Sequence, residues 1–172
     1  MKKLLLLLLC AFALNVNAQE LNKHFMDATR NQEILVNSCS RDGLTSFAGF
    51  KPNYDTNYAN YKSDSLRIDS LKAIPKDYQL TVVLGTWCGD SKLQVPNLFK
   101  VLDQASIPTD NMQIIAVDGT KKVQNSSLDG LNITRVPTII VRNKDGVEMG
   151  RITERPVVSL EADLLKIVSP KS

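Results

Sequence analysis

The sequence predicts an α/β fold, a mixed central sheet flanked by helices with an N-terminal helical extension. Three observations carry this. Gln79–Gly85 and Met112–Val117 are β-branched apolar runs, the composition of strands buried on both faces. Between them Leu93, Val95, Leu98, Val101 and Leu102 form a helical stripe. Two further strand-like runs, Thr138–Val141 and Val147–Ile152, flank Asn143-Lys144-Asp145-Gly146, whose Asp-Gly pair favours a hairpin turn.

The elements follow in order. Glu20–Gln32 places Leu21, His24, Phe25 and Ala28 at helical spacing, so an early amphipathic helix is expected, with His24 on its solvated face. Ile34-Leu35-Val36 is a short apolar run. Gly49–Tyr61, with Pro52, Tyr54, Tyr58 and Tyr61, reads as an irregular loop whose tyrosines pack the extension onto the rest. Ser63–Ile74 reads as a second helix stopped by Pro75. From Tyr78 the order is β-α-β-α-β-β-α, with the ragged Lys121–Leu131 as a helix or helical turn and Ser159–Val168 as the last helix. A crossover helix makes the first two of these strands parallel, whereas the hairpin is antiparallel, so the sheet is mixed and helices lie on both faces. Pro96 should bend the helix it interrupts. The divisions are a leader over 1–18, an extension over 19–77 that is mostly helix and loop, and a domain over 78–172.

Met1-Lys2-Lys3, the apolar run Leu4–Leu14 and the small Ala18 form the three parts of a secretory signal. The apolar run is too short to span a bilayer, which needs about 20 residues. A periplasmic or secreted protein, free of the membrane after cleavage, is therefore expected. Net charge is +3, and Lys2 and Lys3 lie in the leader. That balance leaves no electrostatic footprint for nucleic acid. The single histidine, His24, cannot build a zinc site alone, so no metal is expected. There is no phosphate loop or dinucleotide fingerprint, and no cofactor is expected. Cys10 leaves with the leader, and Cys39 and Cys88 remain, too few for a disulfide scaffold.

The chemistry concentrates at Trp87-Cys88-Gly89-Asp90-Ser91, where a buried strand turns into a helix. A thiol at a helix N-terminus meets free backbone N–H groups and the positive end of the helix dipole, which favour a thiolate. Asp90 opposes that with its charge, and Lys92 partly offsets it. Val136-Pro137-Thr138 opens a strand about fifty residues later, followed by the Asp-Gly hairpin.

Trp-Cys-x-x-Ser at a strand-to-helix turn, with Val-Pro-Thr at this separation, resembles the thioredoxin superfamily, over about Tyr78–Val168. Exported Bacteroidetes-type thioredoxin-like proteins have a similar N-terminal extension. The resemblance implies that Pro137 is a cis proline beside Cys88 and that Val136 offers its backbone to an extended partner, with Trp87 walling the thiol. Three departures stand out. Ser91 replaces the second cysteine; its hydroxyl can donate to a thiolate but cannot attack a mixed disulfide, so the two-thiol cycle is absent at this motif. Gly89-Asp90 replaces Gly-Pro, and Val82 stands where thioredoxins bury an acid.

Three readings follow. Cys88, with Ser91 beside it, is a monothiol that exchanges with protein or small-molecule thiols and disulfides, resolved by an outside thiol. Alternatively Cys39 resolves it, which needs the two Cα atoms within about 7 Å. In the third reading the fold is a redox-inactive interaction domain. A monomer is expected in each, and whether the protein is an enzyme is left open.

Overall fold

A computed structural model describes residues 20–110, 112–123 and 127–169. The expected leader and Cys10 lie outside the described residues. The strands are β1 (Lys23–Asp27), β2 (Gln32–Cys39), β3 (Tyr78–Leu84), β4 (Gln113–Ala116), β5 (Thr138–Asn143) and β6 (Glu148–Thr153). The helices are α1 (Arg41–Ser46), α2 (Lys51–Asn60), α3 (Ser65–Ala73), α4 (Gly89–Gln104) and α5 (Leu160–Val168). The strands form one mixed sheet in the order β1-β2-β4-β3-β5-β6. Only β3 and β4 pair in parallel; the other pairs are antiparallel.

The helix expected over Glu20–Gln32 is instead β1 and the turn into β2. Asp27 decides this. Its Oδ1 accepts from the Thr29 N–H at 2.9 Å and the Thr29 hydroxyl at 2.6 Å. A short polar side chain that binds the backbone two residues on nucleates a turn, and Asn31 completes it with φ 48°. His24 therefore sits on an edge strand, with Nδ1 3.1 Å from Glu33 Oε1. The extension is thus partly sheet: Cys39 of β2 pairs with Ile114 of β4.

Gly49–Tyr61 is not a loop. Pro52 falls in the first turn of α2, where its missing N–H costs nothing. Tyr54 and Tyr58, four residues apart, then share a face and stack with ring centroids 5.6 Å apart. That face docks on α4, where Tyr54 meets Phe99 and the Tyr58 hydroxyl donates to Asp103 at 2.6 Å. Tyr61 reaches Glu161 of α5. The tyrosines therefore dock helices on one another. α2 also resolves the difficulty of Pro96, which deprives the Lys92 carbonyl of its helical donor. The Asn57 side-chain amide donates to that carbonyl at 2.9 Å.

One sheet face builds the larger core with side chains from all five helices, among them Leu44, Tyr54, Leu71, Phe99 and Leu164. Val83, Ile115 and Ile140 of the other face form a smaller core with Val117, Leu131 and Val136. The helix expected over Lys121–Leu131 is, in its described residues, a series of turns. The five helices therefore contribute to one core, rather than covering both faces as expected.

Glu161 is 2% exposed and ties α5 to the segment before α3. Burial opposes its charge, but donors from the Tyr61 hydroxyl at 2.7 Å and the Asp64 N–H at 2.9 Å outweigh it and hold the carboxyl below the usual glutamate range. A depressed carboxylate stabilises the fold above its unfolded pKa, near 4.5, and loses that contribution as pH falls through the folded value. Glu161→Gln is therefore expected to flatten the acid limb of stability below about pH 4.5, read as urea midpoints against pH.

Candidate functional site

The site lies where β3 ends. Leu84 leads into Gly85-Thr86-Trp87, and Cys88 caps α4, with its N–H donating to Gly85 O at 2.9 Å. The Lys92 N–H donates the first helical bond, to Cys88 O at 3.0 Å. The N–H groups of Gly89, Asp90 and Ser91 are those a helix leaves without internal acceptors. Cys88 is half-buried, unpaired and packed beside the smaller core. Its Sγ donates to the Val136 carbonyl at 3.4 Å. The Val136–Pro137 bond is cis. Cys88, Trp87, Val136 and Pro137 are thus brought together from segments 48 residues apart.

Trp87 is clamped. Its indole N–H donates to Val117 O at 3.0 Å. The ring lies so close to Gly85 that a Cβ there would fall 2.6 Å from an indole carbon. Arg30, from the β1–β2 turn, lies over the ring, 4.1 Å from its centroid. Thr86 is buried and accepts from the Leu35 N–H of β2 at 3.1 Å. The hairpin therefore touches the thiol-bearing turn twice.

Ser91 is fully buried, and its hydroxyl accepts from the Gly85 N–H at 3.2 Å. It pins the turn that carries Cys88. Asp90 is matched by Arg155, 2.9 Å away, rather than by Lys92 as expected. Glu154 pairs with Arg135 at 2.6 Å, and its N–H donates to Pro137 O at 2.7 Å.

Cys39 is not brought to Cys88. It is level with Ile114 and hence with Val82, two strands away on the sheet, about 10 Å laterally. Cys88 lies six residues beyond Val82, past the end of the strand. Cys39 belongs to the larger core, and burial pushes its thiol up to about 12. It lies in the polar run Asn37-Ser38-Cys39-Ser40, yet is 7% exposed. It cannot resolve a Cys88 disulfide in this conformation.

Arg30, the pairing of Arg155 with Asp90 and the pinning role of Thr86 were missed in the sequence. The Asp27-x-Thr29 turn signal before Ile34-Leu35-Val36 could have revealed the hairpin, and with it Arg30. A cleft of about 630 Å³ lies at the far end of the β5–β6 hairpin from Pro137, beside Asn143, Met149 and Ile167. The thiol site is a surface feature. No group of three or more potential metal ligands occurs among the described residues. No helix among them is long and apolar enough to cross a membrane.

A mixed sheet that sets one cysteine at a helix N-terminus against a proline turn defines the class: thioredoxin-like α/β proteins. Residues 50–163 match the Thioredoxin family, well over half of the chain, and the protein belongs to that family. No curated protein matches. Among solved structures, a protein of unknown function from Pseudomonas aeruginosa is 16% identical with a TM-score of 0.55, over 72% of this chain and 86% of that one. An HIV epitope-scaffold is 16% identical with a TM-score of 0.51, over 70% and 82%. Thioredoxin O2 from Arabidopsis thaliana, in its oxidised state, is 20% identical with a TM-score of 0.40, over 63% and 92%. At these identities the likeness to the first two is one of fold.

Proposed function

We propose that this protein performs monothiol thiol–disulfide exchange through Cys88, in the periplasm or as a secreted monomer. The observation that carries the reading is the half-buried Cys88 Sγ at the head of α4, 3.4 Å from the Val136 carbonyl beside Pro137. The thiolate attacks one sulfur of a partner disulfide; that bond breaks, a mixed disulfide forms and the other sulfur leaves as a thiolate. With Ser91 buried and Cys39 remote, an outside thiol releases the product. Partners are protein or small-molecule thiols and disulfides. The leader supports export.

The second reading is a redox-inactive interaction domain. It is favoured by Ser91, built into the turn in place of a second thiol. Alkylation with iodoacetamide at pH 7, mapped by mass spectrometry, separates the two. The folded protein is expected to label at Cys88, half-buried and free of a disulfide, at least as fast as a free cysteine. Cys39 stays unlabelled until denaturation. A Cys88 slower than free cysteine favours the interaction domain.

A further inference from the structure

We infer that Arg30, at the tip of the β1–β2 hairpin, is a specificity-determining residue that selects partners carrying a carboxylate beside the reacting sulfur; this rests on Cys88 being the exchanging thiol.

Asp27, at the end of β1, is 4% exposed. Its Oδ1 accepts from the Thr29 hydroxyl, the Thr29 N–H and the Arg30 N–H, and its Oδ2 from Arg30 Nη1 at 3.2 Å. The Thr29 hydroxyl first, with the backbone donors and Arg30, outweighs burial and keeps the carboxyl below the usual range. The aspartate is thus committed inward. The guanidinium lies on Trp87, the residue before Cys88, and among the described residues only its Nη1 makes hydrogen bonds. Gly119 lies beneath the guanidinium, where a Cβ would fall 1.6 Å from Arg30 Nη1 and displace it.

Two further arginines at the site present both signs to a partner. Arg155 is matched by Asp90, whose side chain is 29% exposed, and Arg135 by Glu154, 35% exposed. At Arg30 the side chain is 33% exposed and its anion only 6%. The remaining acid near Asp27 is Asp118, whose Oδ1 is taken by the Thr120 and Lys122 N–H groups and the Thr120 hydroxyl. The pair at the hairpin tip is therefore a dipole with its positive end outward. A guanidinium also retains planar donors that fit a carboxylate. A peptide that lays its cysteine on Cys88 has its neighbouring side chains a residue's length away, about 3.8 Å along the chain.

The test uses two cysteinyl peptides activated as 2-pyridyl disulfides, identical except for Glu or Gln beside the cysteine. The Cys88 thiolate attacks the peptide sulfur, the bond to the pyridyl sulfur breaks and pyridine-2-thiolate leaves, so absorbance reports the rate of a single exchange that ends at the Cys88–peptide mixed disulfide, and no further oxidant is needed. The wild-type protein is expected to react at least about threefold faster with the Glu peptide at low salt, the ratio falling toward one near 1 M salt. Arg30→Gln brings the low-salt ratio to about one or below. Arg30→Lys keeps the charge and most of the ratio. Asp27→Asn keeps the Oδ1 acceptor of the turn, removes the opposing charge and raises the ratio. Equal rates for the two peptides in the wild type, or Arg30→Gln and Asp27→Asn shifting the ratio the same way, overturn the inference. Failure of the exchange reading looks different, since neither peptide then releases thiolate from the folded protein, and both claims fall.

Discussion

Cys88→Ser is expected to abolish release of pyridine-2-thiolate from an activated disulfide, to the rate of the reagent alone. A hydroxyl at this position is a far weaker nucleophile toward sulfur than a thiolate. Cys39 cannot substitute, because it is buried in the larger core with its thiol pushed up to about 12. The variant is expected to fold: the Cys88 side chain makes no capping bond to the α4 backbone, and serine is a favoured cap that can still donate to the Val136 carbonyl. Melting temperature checks the fold and absorbance the chemistry. Residual release at more than a few per cent of the wild-type rate would place the reacting sulfur elsewhere. Ser91→Cys completes the argument. Residues three apart in a helix have Cα atoms about 5 Å apart, within the range a disulfide spans. On oxidation that variant is expected to form an intramolecular disulfide between Cys88 and the introduced thiol, at the expense of the Gly85 N–H bond to the Ser91 hydroxyl.

Phe99→Ala is expected to destabilise the protein by about 3–5 kcal/mol, a large part of the stability of an ordinary domain. Phe99 is fully buried on α4. Its ring meets Tyr54 of α2 at 6.0 Å, and the Arg41 guanidinium lies 4.5 Å over its face. Arg41 in turn grips Asp103 with two hydrogen bonds of 2.7 and 2.6 Å. Truncation opens a cavity under three helices and leaves the guanidinium without its aromatic platform. Phe99→Leu keeps most of the volume and is expected to cost less than half as much. Urea midpoints with an unchanged slope measure both. Equal costs for the two would show that packing volume is not what the ring supplies.

These effects fall on residues whose legibility in the sequence differs for physical reasons. The strands β3, β4, β5 and β6 and helix α4 are apolar on the faces they bury, so their periodicity was readable. So was the turn carrying Cys88, because a buried strand must end where Trp87 and Cys88 begin a helix. The hairpin was not readable by periodicity. β1 is an edge strand, alternating between half-buried and exposed positions before the buried Asp27, and Leu21, His24, Phe25 and Ala28 happen to suit a helix equally well. Its true signal was a polar side chain closing a turn. α2 was hidden by composition: its mean character is polar, and only the four-residue spacing of Tyr54 and Tyr58 marks the docking face. The position of Arg155 opposite Asp90 depends on how the segment after β6 returns to α4, which no local pattern states.

Trp87 is the only tryptophan in the chain, and it sits between a cation, a backbone carbonyl and the residue that bears the sulfur. Ultraviolet emission from the native protein, excited at the red edge where tyrosine is silent, therefore arises wholly from the wall of this site. Occupancy of Cys88 by any adduct becomes observable in real time without a dye, a tag or an engineered fluorophore, which gives the molecule an intrinsic optical gauge of what has bound there.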